Sequence, residues 1–127
     1  MKIKILEINQ IYPFLGRLVK LHFSAKTSYK LAKLINNLEA EKAIYTQQFQ
    51  NMVNDYAEKD EDGNPKQTED GTSLVIKKDC LDKFEKEYND LLNLEVEIPD
   101  VSFAIEELDG SEFTPFEMML LEKFIVE

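Results

Sequence analysis

The segment AKTSYKLAKLINNLEAEKAIYTQQFQNMVNDYAEK, residues 25–59, decides how this chain can fold. It contains neither Gly nor Pro, and its apolar residues recur at Leu31, Ile35, Leu38, Tyr45, Phe49, Met52 and Tyr56. Steps of three and four keep these side chains on one narrow side of a helix, the pattern of a two-helix seam. Lys42 alone breaks the register. One helix over residues 24–59 is therefore expected, beginning near Ser24–Lys26. At its full length it would reach roughly 50 Å, longer than a globular domain of this size needs. It must lean on its own chain or on a partner along that length.

Downstream of it, residues 60–78 form a turn-rich acidic connection. Asp62-Gly63, Asn64-Pro65 and Asp70-Gly71 all favour turns. Glu58, Asp60, Asp62, Gly63 and Glu69 also fall on positions of an EF-hand calcium loop. The match is weak: Glu stands where Asp belongs first, and Pro65 occupies the apolar pairing position. An acidic solvated hairpin is the expectation, and no metal or other cofactor is expected. Asp79 then offers an N-cap for a return helix over residues 79–93, with Leu81, Phe84, Tyr88, Leu91 and Leu92 on one face. Phe49, Met52 and Tyr56 packed on Leu81, Phe84 and Tyr88 give the core of an antiparallel αα-hairpin.

The upstream half of the stripe, Leu31 to Leu38, needs a different cover. Ile8, Ile11, Tyr12, Leu15, Leu18 and Val19 make a helical face over residues 7–20, although Pro13 and Gly16 weaken it. Arg17 to Phe23 also fits a strand; a helix to about Lys20 is expected. Before it, Lys2 to Ile5 alternates as a short strand. After the return helix, Val96 and Ile98, then Val101, Phe103 and Ile105, alternate with polar residues, so short strands are expected over 95–105, interrupted at Pro99. Asp109-Gly110 suggests a turn. A last helix over 114–126 opens with Thr114 as N-cap, Pro115 at its first position and Glu117 closing a capping box. The expected architecture is a single domain, mainly α with a small β element (α+β).

At 127 residues with 43% hydrophobic content, the chain can bury one modest core. No apolar run approaches the length of a membrane span and no leader is visible, so neither membrane insertion nor export is expected. The net charge of −10 conceals a division. Residues 1–54 carry eight Lys/Arg against three Asp/Glu, and residues 55–127 carry seven against 22. This balance disfavours nucleic acid as a partner and favours basic protein surfaces, or copies arranged so that opposite halves meet.

No catalytic constellation emerges: no phosphate loop, no Ser/His/Asp set and no Cys/His cluster. His22 is the sole histidine, Cys80 the sole cysteine, and Glu106-Glu107 reads as a solvated acidic run. An enzyme is not expected. Two features suggest partner binding instead. Lys26, Lys30 and Lys33 share one face at the start of the long helix, against its dipole. Phe116, Met119, Leu120 and Phe124 give the last helix a rich apolar face.

The order of segments resembles a known group. Leu31-Ala32-Lys33 lies early in a long helix, YAEKDEDGNPK spans residues 56–66, and Val96-Glu97-Ile98-Pro99-Asp100 precedes Phe113-Thr114-Pro115 and Phe124-Ile125. This is similar to a family of short proteins, without a defined function, from tailed phages and prophages of Gram-positive bacteria. The resemblance implies a phage-encoded protein in the host bacterial cytoplasm or associated with the virion. It offers no catalytic residues to carry over. Two functions follow as expectations: a non-enzymatic scaffold binding a phage or host protein, or a second copy, in virion assembly or host takeover; alternatively, an acidic anti-defence inhibitor that mimics nucleic acid toward a host nuclease.

Overall fold

A computed structural model describes residues 1–71, 73–109 and 111–126. It is mainly α with a small β element, as the periodicities require. The elements are β1 (Lys2–Lys4), α1 (Ile5–Leu18), α2 (Ala25–Tyr56), α3 (Leu81–Leu92), β2 (Glu95–Glu97), β3 (Phe103–Ala104), α4 (Pro115–Leu121) and β4 (Ile125–Val126). Short 3-10 turns cover Lys78–Cys80, Ile105–Leu108 and Glu122–Phe124. The chain forms two compact units, residues 1–42 with 95–127, and residues 43–94.

In the first unit, β1 pairs antiparallel with β2, Ile3 opposite Val96, and β3 pairs in parallel with β4, Phe103 opposite Ile125. The core takes Ile3, Ile5, Ile8, Ile11, Phe14, Leu15 and Leu18 from the N-terminal segment and Leu31, Leu34, Ile35 and Leu38 from α2. Ile98, Val101, Phe103, Leu108, Leu121 and Phe124 complete it among the described residues. Leu31 to Leu38 are thus buried, and Leu18 lines a recess with Leu31, Ala32 and Ile35, so α1 supplies part of the expected cover. Lys42, the break in the stripe, donates to Asn9 Oδ1 at 2.9 Å and sits 5.1 Å from the Tyr12 ring. Tyr12 and Val19, expected inside, stand 40% and 59% exposed, while Phe14 is buried. Pro13 does not break α1, which runs on to Leu18.

The helix expected over 114–126 is shorter. It ends at Leu121, tightens into a 3-10 turn and releases Ile125 and Val126 into the parallel pair with β3. The apolar spacing was common to both arrangements, and burial of Phe124 at 0% exposure favours the one observed. The turn suggested at Asp109-Gly110 extends outside the described residues.

The second unit is the αα-hairpin. Phe84 meets Phe49 at 6.4 Å and Tyr56 at 6.3 Å between ring centres, and Tyr88 meets Phe49 at 5.8 Å, all edge-to-face. Tyr56 donates to Glu87 at 2.7 Å, and that carboxylate raises the phenol pKa. Leu81, expected in this core, is 44% exposed: a 3-10 turn precedes it, leaving it as the first residue of α3, at the open end of the helix. The connection folds as nested hairpins, with antiparallel bridges Ala57–Ile76, Gln67–Leu74 and Lys59–Pro65. Gly63 and Gly71 carry the positive φ values that its turns require.

Candidate functional site

Three glutamates organise the first unit, and each does two jobs. Each stands three residues into a helical turn and accepts the backbone N–H at its start: Glu7 from Lys4 at 3.2 Å, Glu107 from Ala104 at 2.8 Å, Glu117 from Thr114 at 2.8 Å. That is the carboxylate half of a capping box. Each also holds a cation from a distant part of the chain. Lys123 reaches Glu7 at 3.1 Å, Lys30 reaches Glu107 at 3.0 Å, and Arg17 is bound to Glu117 and to the carbonyl oxygen of Glu112. The amino group of Met1 adds a further pair with Asp100 at 2.8 Å.

These contacts set the electrostatics. The Ala104 N–H, followed by the Lys30 ammonium, holds the Glu107 carboxyl below its ordinary range. The Thr114 N–H and then Arg17 do the same to Glu117. Two of the eight N-terminal Lys/Arg, Arg17 and Lys30, are therefore joined to C-terminal carboxylates within one unit.

The lysine face consequently divides. Lys30 is committed: besides Glu107 it donates to the Ser102 carbonyl at 3.1 Å and lies 5.6 Å from the Phe103 ring centre. Lys33 stands over the exposed Tyr29 ring at 5.1 Å. Lys26 borders a polar recess with His22, Thr27, Glu106 and Asp109. The three lysines do not converge on one open surface. Glu107 also departs from expectation, because it is half-buried and bonded where a solvated run was read.

The apolar face of α4 divides as well. Phe124 belongs to the core, so it is excluded as a contact residue, and Leu120 is half-buried. Phe116 and Met119 remain 66% and 69% exposed. Together with Pro13, Phe14 and Arg17 of α1, Phe116 and Leu120 line a groove of about 520 Å³. Contiguous apolar exposure of this kind marks interaction sites more often than ordinary surface. Thr114 and Glu117 exchange both capping bonds, and Arg17 fastens Glu117 to α1, so the groove walls are held together. Sequence reasoning found Phe116, Met119 and Leu120 but missed the α1 wall, because Pro13 and Arg17 carry no periodic signal.

The weak calcium-loop residues are used otherwise. Asp60 Oδ1 accepts the N–H groups of Asp62 and Asn64, both at 2.9 Å, while the backbone of Glu58 bonds to Val75 and Lys66. Glu58, Asp60, Asp62 and Glu69 form no metal-binding group, and no cluster of three or more His, Cys, Asp or Glu able to hold a metal occurs among the described residues. Among the same residues no helix is long and apolar enough to cross a membrane.

Comparison with protein-family models, with curated proteins and with solved structures finds no match. The likeness to phage proteins stands on the quoted segments alone.

Proposed function

We propose that this chain is a non-enzymatic protein-binding module, encoded by a tailed phage and acting in virion assembly or host takeover. The observation that carries the binding part is the exposed Phe116 at the α1–α4 groove, with exposed Met119 in the recess that adjoins it at Gln10 and Leu120. Two large apolar side chains held in water beside an apolar trough lose free energy by docking. The phage part rests on the segment resemblance. The tagged chain, expressed in a Gram-positive host during infection, should retain a discrete phage or host protein. Phe116→Ser/Met119→Ser should release it without changing the circular dichroism spectrum. Retention of the same proteins by both forms would count against the reading.

The alternative, a nucleic-acid mimic, draws on the acidic C-terminal segment. It is less well supported, because Asp100, Glu107 and Glu117 already face cations of their own chain. A mimic needs its carboxylates turned outward, where a basic channel can meet them.

A further inference from the structure

We infer that the α1–α4 groove takes an amphipathic helix of a partner protein, carrying basic residues at both ends of its apolar strip. This rests on the protein-binding reading above and names the chemistry of the partner. Three observations select it. Phe116, Met119 and Leu120 stand at i, i+3 and i+4 on α4, a ridge that matches the groove of another helix. The cations that line the groove and the recess adjoining it are spent, Arg17 on Glu117 and Lys123 on Glu7. Glu112 and Glu122, one just before α4 and one just after it, are exposed and make no ion pair among the described residues. Glu122 lines the recess that adjoins the groove beside Met119 and Leu120, and Glu112 stands next to the groove through the bond from Arg17 to its carbonyl oxygen, so an unpaired carboxylate flanks each end of the apolar strip on α4.

A second copy of this chain fits poorly. A two-fold pairing of α4 helices would set Glu112 or Glu122 against Glu112 or Glu122 of the other copy, which disfavours that arrangement.

The test uses the full chain and a fluorescein-labelled model peptide of about 14 residues, four helical turns, built only of Leu and Lys. A counterpart with Glu in place of Lys keeps the apolar strip. Fluorescence anisotropy should show the Lys peptide bound at least about tenfold more tightly than the Glu peptide. Phe116→Ser/Met119→Ser, which leaves every charge in place, should weaken it by about tenfold or more. Glu112→Gln/Glu122→Gln should weaken it and flatten its salt dependence. Equal binding by the serine variant would overturn the proposal, since attraction would then come from the chain's overall acidity. Preference for the Glu peptide, or a salt-independent dimer in light scattering that the serine variant abolishes, would overturn it too. If the Lys peptide fails while protein capture still depends on Phe116 and Met119, the partner chemistry falls and the binding reading stands. Failure of both removes the reading itself.

Discussion

Lys30 Nζ lies 3.0 Å from Glu107 Oε1, across 77 residues of sequence, and the same carboxylate caps the turn that begins at Ala104. A local signal and a long-range contact thus share one side chain. Because Glu7 and Glu117 repeat the arrangement, the helix starts and the tertiary pairing of the first unit are coupled.

Acid should uncouple them. Glu107 and Glu117 both have folded-state pKa values below their ordinary 4.5. Their stabilising contribution is whole above 4.5, and is lost as pH falls below it through the lowered folded-state values. The melting temperature of the wild type should fall over that interval more steeply than that of Glu107→Gln, and the two curves should converge in stronger acid. Parallel curves down to the lowest pH would argue that Glu107 is not held as described.

The box at α4 has a measurable hydroxyl half. Thr114→Ala removes the acceptor for the Glu117 N–H and should cost about 1 kcal/mol in chemical denaturation. Thr114→Ser should recover most of it. A loss of the same size in both variants would point to the methyl group rather than the cap.

The two aromatic ends of the last segment should respond differently. Phe124→Ala empties a fully buried site and should destabilise by about 3–5 kcal/mol. Phe116 is largely solvent-exposed, so Phe116→Ser should leave stability within about 0.5 kcal/mol of the wild type. Equal losses would mean that Phe116 packs on the domain.

In the αα-hairpin, Phe84 touches Phe49, Tyr56 and Tyr88 yet stays half-buried. Phe84→Ala should therefore cost roughly 2 kcal/mol, about half the value for a fully enclosed ring. Amide exchange should rise over α3 and the adjoining end of α2. An unchanged exchange pattern there would show that another contact holds the hairpin.

Helical order was legible because it is written in spacing: α2, α3 and the pairing of Phe49 with Phe84 and Tyr88 follow from steps of three and four. The start of α4 was legible from Thr114, Pro115 and Glu117. Its end was not, since Phe124 satisfies both a longer helix and a 3-10 turn, and only burial decides between them. The strand pairings were hidden for another reason. Segments of two or three residues carry too little alternation to name a partner, and β3 finds its own at β4 near the far end of the chain. Lys30 was found as a cation but not as a committed one, because its carboxylate sat in what looks like a solvated Glu106-Glu107 run. The signal that could have revealed it was Glu107 three residues after Ala104, the same offset as Glu117 from Thr114. The charge division, read as a pointer to outside partners, is joined in part within the first unit.

The coupling of cap and ion pair is tested most directly by a double-mutant cycle on Lys30→Met and Glu107→Gln, read by urea unfolding at neutral pH and at two salt concentrations. Gln keeps the capping acceptor and removes the charge, so the cycle isolates the long-range pair. The expected result is a favourable coupling: the double variant loses clearly less than the two single variants added together, and the coupling shrinks in high salt. Strict additivity at both salt concentrations would contradict the pairing that joins the two ends of this chain.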